Sequence, residues 1–370
     1  MWRTSNSRWK ATIRFSESEL TNTIMRVKDL EEQLALLPAY WFPGQTWSMR
    51  TGMGGMNNTT RFVEVAGSTY VMRLYETHRD IDKIMFEHRI LLALNKRKNQ
   101  LPYRIPVPIE LPDGGTVVQL DHNQGKLAAL FTFTDGMNPT WMNSEQILQF
   151  GAAVGQLSAV LGTVSVDLKP VYPPYYEIDN IHPRCTPDAI HEFCLHPPET
   201  FSALREELTY IFERFSAFYQ AIPALRKLPH QLVHGDINGS NMLVDGDGRI
   251  TAVLDFEFVT KDLRVMEIAV CLSDLIDPAL SKDELKRNCT AFYEGYGQSV
   301  ALKEAEIQVL PLLIELRRLD VFIHFLGRYA DGVDPQGVLI DIIQNTFEKT
   351  KWLQEYGIEL VLSLQNKQKV

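Results

Sequence analysis

The sequence lacks a hydrophobic run long enough to cross a membrane. No apolar stretch approaches the roughly 18 uncharged residues that a membrane-spanning helix needs. The basic beginning, Met1 to Trp9, is followed by no uninterrupted apolar segment, which argues against an ordinary secretory signal. We therefore expect a cytoplasmic protein with no membrane partner.

An excess of positive charge is also absent. Lys and Arg number 37 against 46 Asp and Glu, which gives a formal net charge of −9. General nucleic-acid binding needs a basic surface that displaces counterions, so we expect no nucleic-acid partner. An anionic nucleotide can still bind through backbone NH groups, metal ions and one or two local cations. The negative field also suits a cationic or zwitterionic small molecule.

Cysteine is scarce, since four cysteines in 370 residues form no disulfide framework. Two of them alternate with histidines in the order His182, Cys185, His191, Cys194 and His196, a spacing that permits a zinc site. The same segment is proline-rich and loop-like, and it contains neither Cys-x-x-Cys nor His-x3-His. Reduced, unliganded side chains are the favoured interpretation, and a structural metal is the alternative.

Length and composition favour a globular chain of two lobes. Hydrophobic residues make up 45% and charged residues 22%, close to the averages of soluble globular proteins. Residues 1–39 are predicted to be a helical extension, with the helix over Ser16 to Leu36. Residues 40–134 are predicted to be β-rich with one helix, and residues 135–370 mainly helical. This is an α+β arrangement.

Period and turn signals place the individual elements. Alternating residues 61–65 and 69–75 predict a hairpin around Ala66 to Ser68. Further strands are predicted at 117–120 and 127–133, with Asp113-Gly-Gly as their turn signal. The predicted helices cover 80–96, 144–161 with Ser144 as N-cap, 199–221, 301–327, and one or two within 338–365.

The segment from Leu232 to Phe258 carries the chemistry. Asp236 lies five residues before Asn241, and fourteen more residues lead to Asp255. Phosphoryl transfer to a hydroxyl needs a carboxylate at the nucleophile and oxygen ligands for the metal that neutralises the triphosphate. The predicted hairpin between Asn241 and Asp255 brings these two residues side by side, because a short hairpin pairs its ends. The order His-x-Asp-x4-Asn, then Asp-Phe, is the protein-kinase arrangement.

These motifs resemble the aminoglycoside phosphotransferase and choline kinase superfamily. The stretch from Val253 to Val270 and the loop from Gly54 to Phe62 are most similar to its homoserine-kinase-type branch. The resemblance spans about residues 40–330. It implies a bilobal protein-kinase-like fold, with a small β-rich N-terminal lobe and a larger, mainly helical C-terminal lobe.

The resemblance also implies roles for the catalytic segment. Asp236 corresponds to the catalytic aspartate that orients or deprotonates the substrate hydroxyl. Asn241 and Asp255 correspond to the magnesium ligands, and His234 supports the loop rather than reacting. Glu267 falls where the family usually has an aspartate that anchors the catalytic loop from a helix.

For ATP, the resemblance points to residues of the N-terminal lobe. The family's phosphate-binding lysine falls at Arg73, with Glu87 as the expected ion-pair partner; a solvated surface pair is the alternative. Arginine can still grip phosphates, as a fork rather than a point charge. The nucleotide-covering loop is expected to use side chains of Asn57, Asn58 and Thr59. The segment that contains Phe133 resembles the hinge whose backbone holds adenine.

Two acidic residues have two interpretations each. Glu257 is either a third acidic group near the metals or a structural residue. Asp274, near the end of the helix that follows Glu267, either faces the substrate or is solvated.

These residues predict an ATP- and Mg²⁺-dependent phosphotransferase that acts on a small hydroxylated molecule. A homoserine-like amino alcohol is the first expectation, followed by choline or ethanolamine, a sugar, or an aminoglycoside. The alternative is a catalytically weak member with a binding or structural role, like the spore-coat relatives. The oligomeric state is open.

Overall fold

The computed structural model describes residues 34–52, 58–75, 80–120, 126–140 and 143–368. Most of the helix predicted over Ser16 to Leu36 therefore lies outside the described residues. The chain divides into two compact units, one formed by Met1–Thr77 with Ile109–Phe131 and the other by His78–Pro108 with Thr132–Val370. The domain boundaries at 39/40 and 134/135 stay predictions.

The first unit is built on an antiparallel sheet in the order β1-β2-β3-β5-β4. A short helix, α1 (Pro38–Trp41), precedes the strands β1 (Trp47–Thr51), β2 (Asn58–Val65), β3 (Ser68–Tyr75), β4 (Val118–Leu120) and β5 (Lys126–Thr132). The predicted hairpin is confirmed: Val65 pairs with Ser68 across a two-residue turn at Ala66 and Gly67, whose φ angles are 48° and 80°. Alternate strand residues such as Val63 and Met72 form the core.

One turn prediction was wrong in its place. The turn at Asp113 lies before β4, where the Leu111 amide donates to the Gly115 carbonyl at 2.7 Å. The connection between β4 and β5 falls at residues 121–125, outside the described part of the chain. An Asp-Gly-Gly sequence specifies a turn, but it does not say which strands the turn joins.

The second unit is mainly helical, which confirms the predicted α+β class. Two small antiparallel sheets pair β6 (His230–Val233) with β9 (Thr260–Leu263) and β7 (Met242–Val244) with β8 (Ile250–Val253). Its helices are α2 (Ile81–Asn95), α3 (Ser144–Leu161), α4 (Pro187–Leu195), α5 (Arg205–Leu225), α6 (Met266–Leu275), α7 (Lys282–Gly297), α8 (Glu304–Gln308), α9 (Leu310–Ala330) and α10 (Gln336–Gln368).

Some element boundaries differ from the predictions. Asn143, not Ser144, caps α3, because its side chain accepts the Gln146 amide at 2.9 Å. The predicted helix over 199–221 begins as a 3₁₀ turn and becomes α-helical at Arg205. The predicted helix over 301–327 is interrupted before α9, whose first turn contains Pro311. Strand β9 was missed, since it is only four residues long and partly polar.

Helices α3 and α7 pack closely because glycines line their contact. A Cβ on Gly151 would lie 1.9 Å from the Phe292 carbonyl oxygen, and one on Gly295 would lie 1.9 Å from that of Leu148. The pair is tied to β6 through Ser158, whose backbone carbonyl accepts from the Gln231 side chain at 2.9 Å. The two helices therefore support the strand that leads into the segment around His234.

In the described part of the chain, no helix combines the length and the apolar character that crossing a bilayer requires.

Candidate active site

The loop after β6 is anchored by a buried carboxylate. Glu267, fully buried on α6, accepts the His234 amide at 2.6 Å and the Gly235 amide at 3.4 Å. Burial raises the pKa of Glu267 to about 7, although both amide hydrogen bonds lower it. Gly235 has a φ of 84°, and a Cβ there would lie 3.0 Å from the Phe258 carbonyl oxygen. The loop therefore needs glycine at this position, and Glu267 makes the contact that its predicted supporting role requires.

His234 is a connector between the loop and the neighbouring hairpin. Its Nδ1 accepts the Asp236 amide at 3.3 Å, so Nε2 carries the proton and donates to the Leu254 carbonyl at 2.9 Å. Burial lowers the pKa of His234 to about 4, which keeps the ring neutral at physiological pH. This buried, neutral ring suits the predicted support of the loop better than a chemical step.

The β7–β8 hairpin brings the two predicted metal ligands together. Met242 pairs with Val253, and the Leu254 amide donates to the Asn241 carbonyl at 2.8 Å. Asn241 and Asp255 therefore flank the open end of the hairpin. Asp255 has φ 65° and ψ 65°, a left-handed conformation that costs a non-glycine residue about 1–3 kcal/mol and clusters at functional sites.

Asn241 also contacts the predicted catalytic carboxylate. Its Nδ2 donates to the Asp236 backbone carbonyl at 2.8 Å and to Asp236 Oδ2 at 3.1 Å. Its Oδ1 accepts a long 3.5 Å contact from the Ser240 hydroxyl, a bond weak enough to yield to a metal ion. An amide oxygen and the Asp255 carboxylate are hard oxygen donors of the kind that Mg²⁺ prefers, so these residues fit a magnesium site.

An arginine that the sequence analysis missed holds the other oxygen of Asp236. Arg317 Nη2, on α9, donates to Asp236 Oδ1 at 2.5 Å, while Nη1 donates at 2.9 Å to both Asp320 and the Tyr175 hydroxyl. That hydroxyl donates to the Gly235 carbonyl at 2.6 Å. Burial raises the pKa of Asp236 to about 6, and the Arg317 charge opposes this increase.

The sequence did contain a signal for Arg317. Residues 316–319 read Leu-Arg-Arg-Leu, and both leucines are fully buried. Two consecutive arginines within an apolar helix are unusual unless they are paired, because burying an unpaired charge is costly.

The structure also adds loop contacts on either side of the catalytic segment. Asn138 Nδ2 donates to the backbone carbonyls of Ser240 at 2.8 Å and Met242 at 3.0 Å. Asp274, left open between a substrate-facing and a solvated position, accepts the Gly239 amide at 3.3 Å. These contacts come from residues more than 30 positions away, so no local motif announces them.

Glu257 and Glu87 both lie in the second unit and share a neighbour, Tyr172. Burial raises the pKa of Tyr172 above its usual range, and the charges of Glu257 and then Glu87 raise it further, with smaller contributions from Asp80 and Asp255. Glu257 and the predicted metal ligand Asp255 therefore both lie near Tyr172. The two alternative roles of Glu257 stay open.

The remaining predicted nucleotide residues lie mostly in the first unit. Arg73, on β3, is half-buried, with its guanidinium 5.3 Å from the Phe131 ring centroid. Its ion pair with Glu87 stays a prediction. Asn57 lies outside the described residues, while Asn58 and Thr59 begin β2 opposite Tyr75 and Leu74.

Phe133 lies in the second unit, at a cavity of about 690 Å³ whose lining includes Leu94, Tyr103, Arg104 and Thr251. Its contact with adenine also stays a prediction.

The histidine and cysteine segment is packed into the helical unit. Cys185 and Cys194 are buried, and burial raises their thiol pKa values to about 11 and 12. His182 contacts Asp331 at 3.2 Å, and the His191 ring packs edge-on against Phe212. Within the ranges that the structure describes, no group of three or more His, Cys, Asp or Glu side chains is arranged to hold a metal.

Fold and site together define a small-molecule kinase, and comparison with known proteins gives its family. The model of the phosphotransferase enzyme family matches residues 50–301, more than half of the chain. The chain belongs to this family, which confirms the predicted kinase-like fold and enzyme class.

Curated relatives match most of the chain at low identity. The homoserine kinase of Chelativorans sp. (strain BNC1) is 25% identical over 342 residues, which are 89% of this chain and 97% of the relative. The homoserine kinase of Sinorhizobium medicae (strain WSM419) is 23% identical over 311 residues, 84% of this chain and 87% of the relative.

Solved structures share the fold. Amicoumacin kinase hAmiN, in complex with AMP-PNP, Ca²⁺ and Ami, has a TM-score of 0.64 at 16% identity and covers 90% of this chain and 97% of its own. The microcompartment-associated aminopropanol kinase has a TM-score of 0.63 at 18% identity, with 90% and 99% covered.

Proposed function

We propose that this enzyme transfers the γ-phosphate of ATP, as its Mg²⁺ complex, to a hydroxyl of a small polar metabolite. The observation that carries this proposal is the pair of contacts made by Asn241. Its backbone carbonyl accepts the amide of Leu254, the residue before Asp255, and its side chain donates to the Asp236 carboxylate. A catalytic carboxylate, an amide oxygen and a second carboxylate are the groups that phosphoryl transfer needs. A homoserine-like acceptor comes first because the homoserine kinases match most of the chain. Choline or ethanolamine, sugars and aminoglycosides follow.

In this proposal Asn241 Oδ1 and the Asp255 carboxylate would hold Mg²⁺. When bound, the ion would neutralise part of the negative charge of the triphosphate. Asp236 orients the acceptor hydroxyl and accepts its proton. Arg317 and Asn241 each bind one carboxylate oxygen of Asp236, so they fix its rotamer before the acceptor arrives.

Nucleotide binding is assigned to the residues that the family resemblance indicates. Arg73 would contact the phosphates with Glu87 as its partner, and Asn57, Asn58 and Thr59 would cover them. The backbone at Phe133 would hold the adenine. Arg73 is a fixed cation in this proposal, because it lies within a strand and stacks on Phe131.

The proposal is tested with purified protein, Mg²⁺ and ATP. We expect Mg-ATP to raise the melting temperature and ATP turnover to depend on an acceptor from a panel of amino alcohols, hydroxy amino acids, sugars and aminoglycosides. Neither stabilisation nor turnover across this panel would show that the kinase proposal is wrong and favour a binding or structural role.

The role of Asp236 has its own test. We expect Asp236→Asn to lower kcat by about 10²- to 10⁴-fold, the usual contribution of a positioned acid or base, while Mg-ATP binding persists. Asp247→Asn is the matched control, because Asp247 is an exposed hairpin-turn residue with 72% of its side chain accessible. Full turnover in Asp236→Asn would refute the assigned role.

A further inference from the structure

A second arginine beside the catalytic loop has no part in the chemistry described above. Arg318 follows Arg317 on α9, and its Nη1 donates to Asn345 Oδ1 on α10 at 3.3 Å. Its Nε is buried and finds no hydrogen-bond partner among the residues that the structure describes. Such a buried donor costs free energy unless a bound group supplies an oxygen.

A buried lysine lies in the same region. Lys349, on α10, is 8% exposed, and its Nζ donates to the Ser273 carbonyl at 2.8 Å. The next residue, Asp274, accepts the Gly239 amide of the catalytic loop. This chain of contacts places Lys349 close to the loop that carries Asp236.

The three cations of this region differ in their hydrogen-bond partners: Arg317 binds carboxylates, whereas Arg318 and Lys349 donate to an amide and a carbonyl oxygen. Arg317 is bound by two carboxylates, Asp236 and Asp320. Burial lowers the pKa of Arg318 to about 10, and Arg317 lowers it further, whereas Asp274 and Asp320 raise it. Burial likewise lowers the pKa of Lys349 to about 8, with Arg318 as the next cause and Asp274 and Asp277 opposing it. Two cations that disfavour each other would both gain from an anion bound near them.

We propose that Arg318, with Lys349 nearby, binds a carboxylate of the phosphate acceptor. The acceptor is then a hydroxylated carboxylic acid, with a homoserine-like amino acid ahead of amino alcohols, sugars and aminoglycosides. This inference rests on the proposed kinase function and narrows its acceptor class. Asp274 provides a counter-charge for the ammonium group of an amino acid.

Arg318 lies within reach of the charges around the catalytic loop. Arg317, Asp274 and Asp320 all act on its guanidinium, and Arg317 and Asp274 in turn contact Asp236 and the Gly239 amide. A guanidinium is also the side chain best matched to a carboxylate, because its fork can donate two parallel hydrogen bonds.

Three acceptors that differ by one charged group test the proposal. L-homoserine carries both charged groups, 4-hydroxybutyrate lacks the ammonium, and 3-aminopropan-1-ol lacks the carboxylate. We expect the wild-type enzyme to prefer L-homoserine and 4-hydroxybutyrate, the two acceptors that carry a carboxylate. Arg318→Met should raise their KM by about 10- to 100-fold, the range of a charge-assisted hydrogen bond, with a much smaller change for 3-aminopropan-1-ol. Arg318→Lys should recover part of the loss.

Arg328→Met is the matched control, because it makes the same substitution on the same helix at an arginine that pairs with Asp334. Melting temperature and Mg-ATP affinity establish that each variant is folded. Equal KM changes in Arg318→Met for acceptors with and without a carboxylate would overturn the inference. So would a wild-type enzyme that phosphorylates only acceptors without a carboxylate, although the proposed kinase function would then stand. If no acceptor of any class is phosphorylated, both proposals fail.

Discussion

Replacing Arg317 with methionine should lower kcat/KM at neutral pH, and raising the pH should restore it. Methionine keeps an apolar stem but removes the guanidinium that binds Asp236 Oδ1 at 2.5 Å. Both side chains are largely buried, with 18% and 17% of their surface exposed. Removing one partner of a buried ion pair costs about 3–5 kcal/mol of stability, and the low end applies here because Asp236 can take up a proton.

The effect on activity follows from the pKa of Asp236. Burial already raises it to about 6, and Arg317 is the main influence that opposes burial. Losing a neighbouring opposite charge raises a carboxyl pKa by about 1–3 units. For a rise of about two units, the ionised fraction at pH 7 falls from about nine tenths to about one tenth, a loss of about tenfold in kcat/KM. Because the base works only when ionised, the acidic limb of the pH profile moves to higher pH.

The assay is kcat/KM measured between about pH 5 and pH 9 at saturating Mg-ATP. Arg214→Met is the control, because Arg214 pairs at 2.5 Å with the buried Glu315 of the same helix. It should lose similar stability and keep the wild-type acidic limb. Arg317→Lys should shift the acidic limb of the pH profile part of the way back to its wild-type position. If the limbs of Arg317→Met and Arg214→Met coincide, Arg317 is a structural residue and the reasoning about Asp236 is refuted.

Three further predictions concern the support of the site. Glu267→Ala leaves two buried amides unpaired, so the free energy of unfolding in urea should fall by about 1–3 kcal/mol for each, and kcat should fall with it. Gly151→Ala should destabilise the protein by about 1–3 kcal/mol or more, because its Cβ would overlap the Phe292 carbonyl oxygen. The control Gly297→Ala should not destabilise it, because there is open space around Gly297. Equal melting temperatures of the two variants would contradict this prediction. Burial raises the pKa of Asp262 to about 7, so the folded state retains a proton that the unfolded state loses and stability falls as pH rises from about 4 to 7. Asp262→Asn should reduce that slope in unfolding titrations.

The sequence predicted those parts of the site whose contacts are local. Asn241 and Asp255 are joined by a hairpin whose two runs and turn are readable from residues 241–255, so their proximity follows from strand pairing alone. The turn of this hairpin, residues 245–248, reads Asp-Gly-Asp-Gly, a composition typical of turns, and it closes through the Gly248 amide and the Asp245 carbonyl.

Contacts between distant segments were not predictable in this way. Arg317 binds Asp236 across 81 positions, and Asn138 reaches Ser240 across 102. The sequence periodicity of α9 does not predict which of its polar residues contact another helix or loop, because those contacts depend on how the helices pack. The position of Glu267 was identified only through the family resemblance, and its two amide contacts required the structure.

Arg317 and Arg318 are adjacent, yet their surroundings separate their roles. Burial disfavours both charges, but Tyr175, Asp236 and Asp320 raise the pKa of Arg317 above its usual value, whereas that of Arg318 falls to about 10. In the proposed mechanism, Arg317 therefore serves the catalytic base Asp236, and Arg318 binds the carboxylate of the acceptor. If this division holds, Arg318→Met should raise the KM for L-homoserine by the same factor in the wild-type and Arg317→Met backgrounds. A factor that disappears in the Arg317→Met background would show that the two arginines act as one unit on Asp236.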